Sequence, residues 1–205
     1  MNCALLSTTY FGPVQWYQKL CSFEHILIEQ HETWVKQSYR NRCLIATTQG
    51  VQALTVPVSF DDDGHHTTRD ARISDHGNWR HLHWQALQSA YGDSPFFEFY
   101  ADELAPFFHE RRWTFLMDLN DEICAKMCGF IDITPSLHHT DYYVHETPCD
   151  YRTAIRPKYP EADPDFMVRP YWQVYQQKHG FLPNLSILDL LFNMGPESIF
   201  FLQDQ

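Results

Sequence analysis

The chain has 205 residues, of which 44% are hydrophobic and 16% aromatic. This length and composition supply enough apolar material for one core, so the sequence predicts a single domain over residues 1–205 and argues against global disorder. Fifteen Lys and Arg residues against 26 Asp and Glu residues give a net charge of −11, which disfavours nucleic acid and anionic membrane surfaces as partners.

The sequence shows neither a membrane span nor an export signal. No segment approaches the roughly 20 apolar residues of a membrane helix, and the first residues lack the basic and long apolar regions of a signal peptide. We therefore expect a cytoplasmic protein whose six cysteines are reduced. These cysteines include no Cys-x-x-Cys pair, and the 12 histidines match no short metal-binding motif. No metal site is predicted, and no cofactor is identified.

The first elements along the chain predict a βαβ unit. Residues 3–9 favour a strand, a helix is expected over 14–23 after Pro13, and His25–Glu29 is a compact apolar strand. Because the three elements follow one another so closely, we expect the two strands to pair in parallel, with the helix as their crossover.

A β-rich section follows this unit. Arg42–Thr47 and residues 51–58, separated by a turn that contains Gly50, predict a β-hairpin that joins the first strands in a mixed sheet. Residues 61–64 read as a solvated acidic turn, and residues 69–74 as a further short strand.

The middle and the C-terminal region are expected to be mainly helical, so the predicted fold class is α/β. Ser94 is expected to cap a helix with Pro95 at its first position, and four prolines predict a rigid surface loop over 156–170. A strand is expected near residues 142–144. The other predicted helices cover residues 78–91, 114–128, 171–179 and 185–194.

A polar run with three cations follows the second predicted strand: Lys36-Gln37-Ser38-Tyr39-Arg40-Asn41-Arg42. Ligands of open α/β sheets collect beyond the carboxyl ends of the strands, and this run locally reverses the sign of a chain whose net charge is −11. Arginine offers paired donors and lysine a point charge, which together suit a phosphate or a carboxylate. The run is therefore a candidate anion site. The structural alternative is a solvated loop, or arginines paired with the chain's own carboxylates.

A second candidate lies on the predicted helix 78–91. Trp79 and His83 are four residues apart, so they share one helical face. Since that face is otherwise apolar, His83 is either a core histidine with one hydrogen bond or a general base at the edge of a pocket walled by Trp79. Near the C-terminus, Ser186 and Asp189 also share a face, which a helix cap at Ser186 explains without a site.

Three motifs of nucleotide-binding and acyl-transfer enzymes are missing from the sequence. It contains no Gly-x-x-x-x-Gly-Lys loop, no Gly-x-Gly-x-x-Gly turn and no Gly-x-Ser-x-Gly elbow. With eight glycines in the chain, a backbone cradle for a nucleotide is not expected. The P-loop, Rossmann and α/β-hydrolase classes are thereby disfavoured.

Several segments occur in an order that resembles the WbqC-like family, particularly its Bacteroidetes branch. They are Tyr10-Phe11-Gly12-Pro13-Val14-Gln15-Trp16-Tyr17, the run 36–42, Leu54-Thr55-Val56-Pro57-Val58, the segment 79–91, the aromatic segment 95–100 and, near the C-terminus, residues 180–186. Wider members of the family carry a His-Gln-Pro-x-Tyr-Leu-Pro-Trp segment after the first strand, where this chain has Ser7-Thr8-Thr9-Tyr10-Phe11-Gly12-Pro13 and lacks the His-Gln pair.

The resemblance implies a role near O-antigen and other surface-polysaccharide biosynthesis, with whose gene clusters the family is associated. The favoured hypothesis is a transferase-like enzyme acting on a small anionic, sugar-linked or otherwise activated substrate. In this hypothesis the roles fall on the positions that match the family. Lys36, Arg40 and Arg42 bind phosphate, Asn41 and Tyr10 orient the substrate, Trp79 walls the site and His83 is the general base.

Two other classes stay open at this point. The missing His-Gln pair and the aromatic residues Tyr159, Phe166, Tyr171 and Trp172 near the Pro-rich loop favour a non-catalytic binding or assembly protein. A metal-dependent hydrolase is the second alternative. The sequence leaves the oligomeric state open.

Overall fold

Three parallel strands organise the N-terminal part of the chain in a computed structural model, which describes residues 2–61 and 64–203. Strand β1 (Cys3–Ser7) pairs with β2 (His25–Glu29), and β2 pairs with a strand from the middle of the chain, Ser136–His139. The helix α1 (Val14–Ser22) connects β1 to β2. The predicted βαβ unit and the α/β fold class are confirmed.

Burial on both faces explains why these strands pair in parallel. Leu6, Ile26 and Ile28 are buried on one face of the sheet, and Leu5 is buried on the opposite face. Helix α1 begins directly after Pro13, which has no N–H to satisfy, and packs its aromatic and aliphatic residues against the sheet.

The predicted hairpin is confirmed, but it stands apart from the parallel strands. β3 (Arg42–Thr47) pairs antiparallel with β4 (Gly50–Thr55) in a two-stranded sheet of its own, so the hairpin does not extend a mixed sheet. Pro57 has no N–H for strand pairing, so the expected strand 51–58 is interrupted there. A short strand β5 (Val58–Ser59) then pairs with β6 (Arg72–Ile73). Asp62 and Asp63 of the expected acidic turn lie outside the described residues.

The middle and the C-terminal region are mainly helical, as expected. The prediction that Ser94 caps a helix is wrong, because its hydroxyl donates to the Tyr91 carbonyl and the helix begins only at Phe97. The expected helix over 171–179 is shorter, because Tyr171 and Gln173 bond with the buried Asp189 from non-helical backbone. The helices are α2 (Trp79–Tyr91), α3 (Phe97–Leu104), α4 (Pro106–His109), α5 (Leu116–Phe130), α6 (Gln176–His179) and α7 (Ile187–Met194).

The predicted strand at residues 142–144 is wrong. The third parallel strand is instead β7 (Ser136–His139), six residues earlier, which continues the sheet in the order β1-β2-β7. Tyr142 has the β-favouring aromatic character that suggested a strand, but its side chain is 75% exposed. Among the described residues, no helix combines the length and apolar character needed to cross a membrane.

Buried polar contacts attach the C-terminal part of the chain to the N-terminal part. Lys19 of α1 donates to Asp163 of the Pro-rich loop at 2.9 Å, and both side chains are buried. Asp189 accepts hydrogen bonds from the hydroxyls of Tyr91 and Tyr171. Asp189 is therefore a structural carboxylate of the core. These contacts favour the single domain over residues 1–205, which stays a prediction.

Candidate functional site

A cavity of about 220 Å³ lies where the carboxyl ends of β1 and β2 meet. The edge where parallel strands end is the usual ligand site of an open α/β sheet. We call this cavity the Arg40 cavity. Its polar walls include Ser7, Thr9, Glu32, Arg40, Asp150 and Arg152.

Arg40 is held in the wall of this cavity by a two-pronged ion pair. Its Nε donates to Glu32 Oε1 at 2.6 Å and its Nη2 lies 2.5 Å from Glu32 Oε2, while both side chains are buried. The further bonds from its guanidinium to the hydroxyls of Ser38 and Ser7 are long, at 3.4 Å each. Glu32 therefore fixes the plane of the guanidinium, and the long bonds leave donors that an incoming oxygen can take over.

A second guanidinium reaches the same cavity from a distant part of the chain. The backbone of Leu5 bonds with Cys149 and Tyr151, so a short bridge at Asp150 runs parallel to β1. Arg152 follows this bridge and donates to Asp150 Oδ2 at 2.6 Å. Because the bridge and β1 run in the same direction, Arg152 lies at the edge of the sheet where Arg40 lies.

Glu29, at the carboxyl end of β2, supports this second arginine from behind. It is fully buried, and it accepts hydrogen bonds from the backbone of His31 and Val144 and from the Thr140 hydroxyl at 2.7–2.9 Å. Its Oε2 lies 3.8 Å from Arg152 Nη1. A carboxylate satisfied in this way tethers the loop after β7 to the site and contributes negative charge beside Arg152.

The polar run 36–42 is divided by the structure. Ser38, Tyr39 and Arg40 line the Arg40 cavity, whereas Lys36 is exposed and lies outside its lining. Asn41 donates to the Val56 carbonyl at 2.8 Å, and Arg42 donates to the Thr55 hydroxyl at 2.9 Å. The sequence thus identified one arginine of the cavity, while the binding roles of its neighbours Lys36, Asn41 and Arg42 stay predictions.

Tyr10, Trp79 and His83 form a separate buried cluster. The Tyr10 hydroxyl lies 2.9 Å from His83 Nδ1, and the Trp79 and His83 rings meet edge to face. Burial lowers the pKa of His83 to about 4, against a smaller opposing effect of a hydrogen bond to the Thr55 backbone. None of the three residues lines the Arg40 cavity. The general-base role of His83 stays a prediction, although this environment favours a neutral core histidine.

A second cavity of about 260 Å³ adjoins the first, and Thr8, Thr9 and Trp16 border both. We call it the Asn120 cavity. The amide nitrogen of Asn120 donates to the Arg40 carbonyl at 2.8 Å and to the Thr8 hydroxyl at 3.1 Å. Its carbonyl oxygen is buried and has no hydrogen-bond partner within the described residues.

An acid–imidazole pair borders the Asn120 cavity. The carboxylate oxygens of Asp121 lie 3.1 Å from His139 Nε2, and both side chains are partly exposed. Burial raises the pKa of Asp121, and the neighbouring His139 partly offsets this rise. His138 and His139 both border this cavity, at the end of the edge strand β7.

Four residues in or beside the two cavities were not predicted from the sequence: Glu29, Glu32, Asn120 and Arg152. Glu29 carried a usable signal, since it is the last residue of a predicted strand and the strand-end rule applies to it. Asn120 and Arg152 reach the site from α5 and from the loop after β7, and no local spacing connects them with the first strands. Across residues 2–61 and 64–203, no three His, Cys, Asp or Glu side chains are grouped as metal ligands.

Comparison with known proteins covers nearly the whole chain. The family model described as "WbqC-like protein family" matches residues 8–155 and 152–200. "Uncharacterized protein Rv1507c" of Mycobacterium tuberculosis (strain ATCC 25618 / H37Rv) is 30% identical over 220 residues, which cover 95% of this chain and 94% of that protein. No solved structure matches the chain.

Proposed function

The chain belongs to the WbqC-like protein family, and we propose that it is a transferase-like enzyme whose Arg40 cavity binds the anionic part of a small activated or sugar-linked substrate. The observation that carries the proposal is the meeting of two oriented guanidinium groups, Arg40 and Arg152, in one cavity at the carboxyl edge of a parallel sheet. The association of the family with surface-polysaccharide biosynthesis favours a sugar-linked substrate.

The charges of the cavity support a bound anion of defined orientation. Glu32 and Asp150 each hold one arginine, so the planes of both guanidinium groups are set before a ligand arrives. An oriented guanidinium binds a phosphate or carboxylate through two parallel hydrogen bonds and loses little side-chain entropy. The hydroxyls of Ser7 and Thr9 add neutral donors to the same wall.

The test is ligand binding by a variant that keeps the buried charges balanced. Replacing Arg40 alone would leave Glu32 buried without its partner, at a cost of about 3–5 kcal/mol. The double variant Arg40→Met, Glu32→Gln avoids this unpaired charge. Wild type and variant are titrated calorimetrically with inorganic phosphate, nucleotide sugars, sugar phosphates and acyl thioesters.

We expect at least one phosphate-bearing ligand to bind the wild type and to lose at least tenfold in affinity in the double variant, about 1.4 kcal/mol. Arg42→Gln is the matched control, since Arg42 bonds with Thr55 outside the cavity. If the double variant binds every such ligand as the wild type does, the proposed anion site is wrong. If only Arg42→Gln lost affinity for these ligands, the anion site would lie at Arg42 and not in the Arg40 cavity.

A non-catalytic binding or assembly protein is the second candidate, because large aromatic side chains are exposed near the Pro-rich loop. Tyr159 is 89% exposed and Trp172 is 52% exposed. Tyr171, however, is buried in the core and bonds with Asp189, so it is not available to a partner. Crosslinks that map to Tyr159 and Trp172, in a protein that no small ligand stabilises, would favour this candidate.

A further inference from the structure

The unpaired oxygen of Asn120 is the starting point of a second assignment. Asn120 is 1% exposed, and its amide nitrogen faces the Arg40 carbonyl, which can only accept. The amide therefore cannot be turned to exchange its nitrogen and oxygen without losing this bond. Its carbonyl oxygen, with two free lone pairs, lacks a donor within the described residues. A buried acceptor left in this state costs about 1–3 kcal/mol, so a donor from outside the chain is expected.

The position of Asn120 ties this oxygen to the anion site. Asn120 borders the Asn120 cavity, while its nitrogen holds the backbone of Arg40, whose side chain borders the Arg40 cavity. Thr8 and Thr9 border both cavities, so the two cavities are neighbours. One ligand can therefore extend across these threonines, with an anionic end at Arg40 and a neutral end beside Asn120.

The other groups of the Asn120 cavity match a neutral hydroxyl better than a cation. Asp121 is the carboxylate at its border, and it is already engaged with His139. The remaining lining is largely apolar or hydroxyl-bearing, including Leu137 and Ala125. A hydroxyl can donate to the Asn120 oxygen and accept from a neighbouring donor, whereas an ammonium would need more negative charge than this cavity provides.

From this geometry we infer that the Asn120 cavity is a subsite for the neutral hydroxyl-bearing part of the substrate, such as a sugar ring, and that one of its hydroxyls donates to Asn120 Oδ1. The inference deepens the proposed function and rests on it for the anionic end of the same ligand. The Asp121–His139 pair lies at the border of this subsite, where it can exchange a hydrogen bond with a second hydroxyl.

The experiment uses two small probes that separate the two cavities: methyl glucoside for the Asn120 cavity and inorganic phosphate for the Arg40 cavity. Binding is followed by NMR on the side-chain amide of Asn120 and on the Nε–H groups of Arg40 and Arg152. Ala125→Phe narrows the Asn120 cavity from an exposed position of α5, so the core is unchanged. Ala53→Phe, on an exposed position of the hairpin, is the matched control.

Methyl glucoside is expected to shift the Asn120 amide in the wild type and in Ala53→Phe, and to bind Ala125→Phe at least tenfold more weakly. Phosphate should shift the arginine signals equally in all three proteins. If phosphate binds but the glucoside leaves the Asn120 amide unmoved, or binds Ala125→Phe normally, the subsite is refuted and the anion site stands. If the glucoside binds as expected and phosphate does not, the subsite stands and the proposed function falls. If neither probe binds, both are refuted.

Discussion

The buried imidazole of His83 predicts a specific loss of stability in acid. Burial lowers its pKa from the usual 6.5 to about 4 in the folded protein. Between these values the unfolded chain takes up a proton that the folded chain refuses, so the stability present above pH 6.5 is lost as the pH falls towards 4. Each pKa unit is worth about 1.4 kcal/mol, so His83 alone should remove about 3 kcal/mol over this range.

The perturbation that isolates this contribution is His83→Gln. Glutamine can accept from the Tyr10 hydroxyl through its oxygen and donate through its nitrogen, but it does not titrate. Urea unfolding of wild type and variant, measured from pH 4 to pH 7.5, gives the difference in the free energy of unfolding at each pH. We expect the variant to be the less stable protein at neutral pH and to gain about 3 kcal/mol on the wild type by pH 4.

The matched control is His81→Gln, an exposed histidine of the same helix. This variant retains His83 and should keep the acid loss that His83 causes. Equal slopes of stability against pH in wild type and His83→Gln would refute a buried neutral imidazole. A His83 imidazole that titrates near neutral pH by NMR would refute it too, and would support the predicted role of His83 as a general base.

Two further changes test contacts that stabilise the fold: the buried Lys19–Asp163 ion pair and the close approach of Gly195 to Phe96. Lys19→Met leaves Asp163 buried without its cation, so the free energy of unfolding should fall by about 3–5 kcal/mol and amide exchange in the Pro-rich loop should accelerate. The double variant Lys19→Met, Asp163→Leu should recover most of this stability. If it recovers none, the argument for a buried ion pair is wrong. Gly195 has φ +55°, and a Cβ there would lie 2.5 Å from the Phe96 ring, so Gly195→Ala should cost about 2–4 kcal/mol in urea unfolding. A Cβ at Gly129 of α5 would meet no atom within 4 Å, so Gly129→Ala should be neutral or stabilising by up to about 1 kcal/mol. Equal losses of stability in Gly195→Ala and Gly129→Ala would refute the argument.

Local elements were predictable from the sequence because their signals are local. The strand His25–Glu29 and the helix after Pro13 follow from apolar spacing within a few residues, and the structure confirms both. The strand at Ser136–His139 was missed because its pairing partner is β2, more than 100 residues earlier in the chain. A short parallel strand with two terminal histidines has little intrinsic β signal, while the exposed Tyr142 has a strong one.

The candidate site was only partly predictable for a related reason. Composition and position after β2 identified the run 36–42, but residues 36–41 form turns and bends, so their successive side chains point in different directions. Arg40 therefore reaches the cavity while Asn41 bonds back to the hairpin. The partners of Arg40 in the proposed site, Asn120 and Arg152, come from elements that only the folded chain brings near it.

The ion pairs of Arg40 and Arg152 weaken the argument from local positive charge for an anion site. A local excess of positive charge suggested an anion site, yet Arg40 is neutralised by Glu32 and Arg152 by Asp150. The proposed anion site therefore depends less on net charge than on the free donors of guanidinium groups whose orientation is already fixed. The bonds to Glu32 are short, whereas the contacts with Ser7 and Ser38 are 3.4 Å long, so the proposed ligand would replace the contacts with Ser7 and Ser38 first. In the proposed function, these donors bind the anionic end of the substrate, and the part that lies in the neighbouring Asn120 cavity adds selectivity.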